Sequence, residues 1–112
     1  MSQEHWEIQK YVTEDGICPF DSWFNALDTQ AKARIDVRLD RLILGNFGDH
    51  KPVGEGVYEL RFFFGPGYRV YYAISGNQIV LLLTGGEKKR QSKDIQSAQT
   101  LWKHYKTEQE GV

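Results

Sequence analysis

The chain has 112 residues, 40% hydrophobic and 13% aromatic, which is enough for one packed core and too apolar for a disordered segment. Its net charge of −1 supplies no long-range attraction for nucleic acid. The single cysteine, Cys18, excludes an intrachain disulfide and suits a reducing compartment. The first ten residues hold no apolar signal core, and the longest aliphatic run, 79–83, is far too short to span a bilayer. A cytoplasmic protein with one domain, 1–112, and no membrane contact is therefore expected.

Taken in order, residues 5–12 alternate loosely, with Trp6 and Ile8 on one side, and predict an edge strand. Thr13 to Gly16 turn the chain. Pro19 opens a short helix with Phe20, Trp23, Phe24 and Leu27 at helical spacing. Asp28 and Thr29 end it and cap a second helix over 30–44. In that helix Ala31, Ile35, Leu39, Leu42 and Ile43 form an apolar stripe, while Lys32, Arg34, Asp36, Arg38, Asp40 and Arg41 are expected for the most part to face water. Gly45 suits its C-terminal stop. Residues 46–56 lack periodicity and read as a loop.

Three strand-like runs follow, 57–64, 68–74 and 78–84, joined by the turn chemistry of Gly65-Pro66-Gly67 and Ser75-Gly76-Asn77. Connections this short make the strands antiparallel. Strand alternation puts Val57, Glu59, Arg61 and Phe63 on one face with Arg69, Tyr71 and Ala73. Tyr58, Leu60, Phe62, Val70, Tyr72 and Ile74 lie on the other, expected to pack on Ile35, Leu39, Leu42 and Trp23. The face carrying the arginines is expected to be open. Residues 85–90 read as a flexible basic turn, and Ser92 as the cap of a last helix carrying Ile95, Ala98, Trp102 and Tyr105 at helical spacing. The tail 107–112 is expected to fray. The order β-α-α-β-β-β-α defines an α+β domain, with an N-terminal strand and a helical hairpin on a twisted, mostly antiparallel sheet, and a C-terminal helix.

The charge is unevenly distributed. Residues 1–56 hold six Lys and Arg against ten Asp and Glu, whereas 57–112 hold eight against five. Positive charge thus gathers on and after the meander, at Arg61, Arg69, Lys88, Lys89, Arg90 and Lys93, a local patch able to bind phosphates. The motifs HExxH, CxxC, GxxxxGK[ST] and GxSxG are missing. The histidines, His5, His50 and His104, are never paired at i+3 or i+4, so neither a metal nor another cofactor is expected. Arg61 and Arg69 on adjacent strands can grip a phosphodiester in bidentate fashion, or Arg61 can simply pair with Glu59 or Glu55. His50 can serve as an acid or base on the open face, or be merely solvated. Tyr71 can stack on a base or pack in the core.

Four segments taken together, Cys18 to Trp23, Gly54 to Arg61, Gly67 to Tyr72 and Gly86 to Gln91, resemble the RelE/ParE superfamily of toxins. The likeness is greatest to its phage-derived, HigB-like branch of addiction module killer proteins, and it extends over residues 6–106. YELR and GYRVYY followed by a lysine-rich turn is its most specific part. The resemblance implies a RelE-like fold and a toxin held inactive by a co-encoded antitoxin, of the helix-turn-helix type. It implies mRNA cleavage in the ribosomal A site without metal: the ribose 2′-hydroxyl attacks the adjacent phosphate and leaves a cyclic phosphate and a 5′-hydroxyl. By motif position Arg69 matches the phosphate-stabilising arginine, Arg61 is a second phosphate ligand, and Lys88, Lys89 and Arg90 match the basic turn. Lys93, Lys51 and Tyr71 join Lys88 and Arg90 as RNA contacts. Glu59, His50 and Lys89 are the candidate acid–base groups. Two alternatives stand beside this one: a ParE-like inhibitor of DNA gyrase without nuclease activity, and a degenerate member that only binds its antitoxin.

Overall fold

A computed structural model describes residues 5–110. The chain runs β1 (Glu7–Lys10), α1 (Pro19–Asn25), α2 (Thr29–Ile43), β2 (His50–Gly54), β3 (Val57–Arg61), β4 (Tyr68–Ser75), β5 (Ile79–Glu87), a 3-10 turn (Lys88–Arg90) and α3 (Gln91–Glu110). Five strands form one sheet in the order β1-β5-β4-β3-β2. β1 pairs in parallel with β5, and the other neighbours are antiparallel. This mixed α+β architecture, with its C-terminal helix, is consistent with the expected RelE-like fold.

Local chemistry accounts for the helical hairpin. Pro19 sits at the first position of α1, where its missing N–H is not needed. The Asp28 carboxylate accepts a 2.8 Å hydrogen bond from the Ala31 N–H and caps α2. At the far end Gly45 takes φ of 92° and donates its N–H to the Leu42 carbonyl, a stop that suits glycine. The stripe of α2 then reaches the sheet as expected. Ile35 and Leu42 are fully buried with Leu60, Phe62, Val70 and Tyr72, and Trp23, Leu39, Tyr58 and Ile74 pack around them.

The other face is where expectation and structure part. It is not open, because α3 lies across it. Val57, Tyr71, Ala73, Leu81 and Leu83 are buried there against Ala98 and Trp102. The alternation of side chains is as expected, so the register stands, but Glu59 and Arg69 lie in the interior. The stripe of α3 needed an apolar partner, and Val57, Ala73, Leu81 and Leu83 supply it.

Five local expectations are also corrected. The loop 46–56 contains a strand, β2, which pairs with β3; it is an edge strand with a register shift after Pro52, a setting that tolerates proline in a sheet. β3 stops at Arg61, and the chain leaves the sheet through Phe63, which is 77% exposed. Gly85 and Gly86 belong to β5 and not to a flexible turn. α3 begins at Gln91 without Ser92 as a cap and stays helical to Glu110, so the expected fraying fails over 107–110; 111–112 lie outside the described residues.

The paired glycines have a packing reason. A Cβ on Gly85 would run into the indole of Trp23 from α1, and one on Gly86 would run into the carboxylate of Asp94 from α3. Successive strand residues face opposite sides, so each glycine admits a helix side chain from its own face.

Candidate functional site

At the end of the sheet where β3 turns into β4, the register sets Glu59 opposite Tyr71 and Arg61 opposite Arg69. Gly86 of β5 lies opposite Arg69 on its other side. Residues directly opposite one another share a face, so the two arginines and the glutamate belong to the face that α3 crosses.

Arg69 is 5% exposed and Glu59 is fully buried. Arg69 Nε lies 3.7 Å from Glu59 Oε2, beyond the length of a charge-assisted hydrogen bond. Its Nη1 donates at 3.2 Å to the carbonyls of Gly67 and Tyr68, holding the β3–β4 turn from inside. Gln91, the first residue of α3, donates a 2.7 Å hydrogen bond to Glu59 Oε2. Three polar atoms of this cluster, Glu59 Oε1, Arg69 Nε and the Tyr71 hydroxyl, are buried without a hydrogen-bond partner. Burial, followed by the neighbouring Glu59, pushes the Tyr71 hydroxyl above its ordinary range. Asp94 is also shifted upward, by burial against the sheet, with Arg90 and Lys93 pulling the other way.

These positions revise four assignments. Arg69 does not stand on an open face ready to meet a phosphate; it is an interior cation that pins a turn. Glu59, expected on an open face, is sealed from solvent. Tyr71 is fully buried and offers no ring for stacking. His50 lies opposite Leu60, with its ring 5.6 Å from Phe47 and 6.4 Å from Tyr58, on the hairpin side of the sheet and away from Arg69.

The surface around the buried pair carries the remaining cations. Lys88, Lys89 and Arg90 are exposed on the 3-10 turn, and Lys93 is exposed in the first turn of α3. Together they line a shallow depression of about 360 Å3. The Lys88 N–H donates to the Gly67 carbonyl at 2.9 Å. Arg69 and the basic turn therefore grip the same residue, Gly67, from inside and outside. Arg61 is part-exposed and pairs with Asp49 through Nη2 at 3.0 Å, not with Glu59 or Glu55, while its Nε is buried without a partner. Lys51 is exposed on β2, opposite Glu59. The fold thus brings Lys88, Lys89, Arg90 and Lys93 together, sets Arg61 and Lys51 on the same face of the sheet, and places His50 on the opposite face.

Some contributors carried little signal in the sequence. Asp49, the partner of Arg61, sits in what read as an aperiodic loop. Arg38, expected to face water, is half-buried and donates to the carbonyls of Arg61 at 2.8 Å and Asp49 at 3.2 Å, fastening α2 to the β3 end. Gln91 and Asp94 were legible only as polar residues near a helix start. Among the described residues, no three His, Cys, Asp or Glu side chains gather as a metal site, and no helix is long and apolar enough to cross a membrane.

A Haemophilus influenzae relative carrying the name "Uncharacterized protein" is 49% identical over 83 residues, which cover 73% of this chain and 84% of the relative. The model of the phage-derived, Gp49-like proteins matches residues 22–106, from α1 to α3. That group is associated with the toxins of toxin–antitoxin systems, and membership implies a cognate antitoxin. This chain belongs to the Gp49-like family of phage-derived proteins.

Proposed function

We propose that this protein is a toxin that inhibits translation by cutting mRNA on the ribosome, through attack of the ribose 2′-hydroxyl on the adjacent phosphate. The observation that carries the reading is the exposed cluster Lys88, Lys89, Arg90 and Lys93, anchored through Gly67 to a turn that Arg69 holds from within. A cationic turn fixed at both sides presents charge at a set position, which is what an electrostatic site needs. Lys88, Arg90 and Lys93 hold the RNA backbone. Arg61 is the guanidinium that grips the scissile phosphate, because it is part-exposed where Arg69 is not. Its pair with Asp49 is near the surface, where such pairs contribute only about 0–1 kcal/mol, so an RNA phosphate can take the place of Asp49.

The reaction needs the phosphorane charge neutralised and two protons moved, one from the 2′-oxygen and one to the departing 5′-oxygen. Of the three acid–base candidates only Lys89 is exposed on the basic turn; it supplies the proton to the 5′-oxygen, and solvent water takes the proton from the 2′-hydroxyl. Arg69 and Glu59 are positioning residues for the turn. The cognate antitoxin, a co-encoded protein of the helix-turn-helix type in this reading, covers the basic cluster and silences it.

The test is induced expression followed by mapping of transcript 5′ ends, with translated and untranslated copies of one reporter. Cuts confined to the translated copy are expected. Intact transcripts with double-strand DNA breaks would replace this reading with gyrase inhibition.

A further inference from the structure

Where β3 ends, the run Phe62-Phe63-Phe64 meets three guanidiniums. Arg38 lies 4.5 Å from the centre of the Phe62 ring, Arg34 lies 4.6 Å from that of Phe64, and Arg61 lies 5.7 Å from that of Phe63. Phe62 is buried and Phe64 is half-buried, but Phe63 is 77% exposed. Its ring borders a groove of about 280 Å3 whose opposite wall is one face of α2. That wall is formed by Arg34, Val37, Arg38 and Arg41, at the i, i+3, i+4, i+7 spacing of a single helix face. Among the described residues, no carboxylate lines the groove. Arg34 and Arg41 are exposed and form no ion pair with a described residue.

We propose that Phe63 is a stacking platform for one unpaired base of single-stranded RNA, with Arg34 and Arg41 holding phosphates along α2 and Arg61 holding the phosphate on the other side of that base. The inference rests on the ribonuclease reading and deepens it, since neither Phe63 nor the α2 arginines belong to the basic cluster. A flat exposed ring flanked by guanidiniums is the arrangement by which unpaired bases are held without sequence readout. The charge of the groove selects among occupants. A second copy of this chain would set the same arginines against one another, which is repulsive. An acidic protein segment would satisfy the charge but has little to bury, because Val37 and Phe63 are the only exposed apolar side chains lining the groove. Continuity points the same way: Phe64 leads into the Gly65–Gly67 turn, and Gly67 carries Lys88. A strand stacked on Phe63 is therefore led past Arg61 toward the basic turn.

The probe is a short fluorescein-labelled 2′-O-methyl oligoadenylate, which lacks the attacking hydroxyl, with binding read by anisotropy at low salt. Phe63→Ala should weaken binding about tenfold at an unchanged melting temperature, because the side chain is solvated. Phe63→Tyr should bind within about twofold of the parent. Arg34→Gln with Arg41→Gln should flatten the salt dependence by roughly one or two phosphates. Parental affinity in Phe63→Ala would overturn the stacking site while leaving the ribonuclease reading intact. If that variant also lost its antitoxin, Phe63 would belong to a protein interface instead. Absence of any salt-dependent binding by the parent protein would remove the RNA track and weaken the reading beneath it.

Discussion

The two faces of the sheet are closed in different ways. On the hairpin side Leu60, Val70, Tyr72 and Leu82 meet Ile35 and Leu42, and among the described residues no charged side chain is fully buried there. On the α3 side the same strands bury Glu59 and Arg69 beside Tyr71, with three polar atoms left unpartnered. An apolar layer stabilises in proportion to area and is indifferent to small shifts. A buried ion pair adds little net stability, because desolvation offsets its Coulombic attraction, but it constrains where its partners sit. The contrast teaches that the hairpin side holds the molecule together, whereas the α3 side fixes one turn and the cations attached to it.

That difference can be broken most severely at the ion pair. Arg69→Ala leaves the Glu59 carboxylate buried without a cation and should cost about 3–5 kcal/mol, measured by urea unfolding. Replacing both partners together, Glu59→Gln with Arg69→Met, should recover much of the loss, because no unpaired charge remains. Equal losses in the single and double variants would mean that the pair contributes through packing alone.

A smaller effect compares the faces directly. Gly85→Ala forces the Trp23 indole out of a packed layer and should cost about 1–3 kcal/mol. Gly86→Ala displaces the Asp94 carboxylate, which can rotate toward Arg90 and Lys93, and should cost less. Thermal melts of the two variants decide it, and a larger loss from Gly86→Ala would contradict the view that the hairpin side carries the stability.

Much of this was legible in the sequence, for identifiable reasons. The alternation of 57–61 and 68–74 set the faces, and the turns at Gly65-Pro66-Gly67 and Ser75-Gly76-Asn77 set the antiparallel order. The stripe of α2 named its own core partners. The cover over the second face was missed, although the signal was present: Val57 and Ala73 share a side with Arg69, and a run such as Val80 to Leu83 is apolar at both parities, the pattern of a strand buried on both faces. β2 was invisible because His50-Lys51-Pro52-Val53-Gly54 has neither alternation nor strand propensity, and it is held by pairing with β3. The site was legible as a list of cations but not as an arrangement. Whether Arg61 or Arg69 reaches solvent depends on Asp49, Gln91 and the placement of α3, none of which a strand pattern encodes.

The most direct test of the account is transcript cleavage by Arg61→Ala, scored as cuts per folded molecule in the reporter pair at matched expression. Arg61 is part-exposed and its pair with Asp49 is weak, so the variant should melt within a few degrees of the parent. Losing the guanidinium at the phosphate should lower cleavage by on the order of a hundredfold. Parental cleavage by a folded Arg61→Ala protein would contradict the claim that the surface arginine grips the phosphate while the buried one supports the turn.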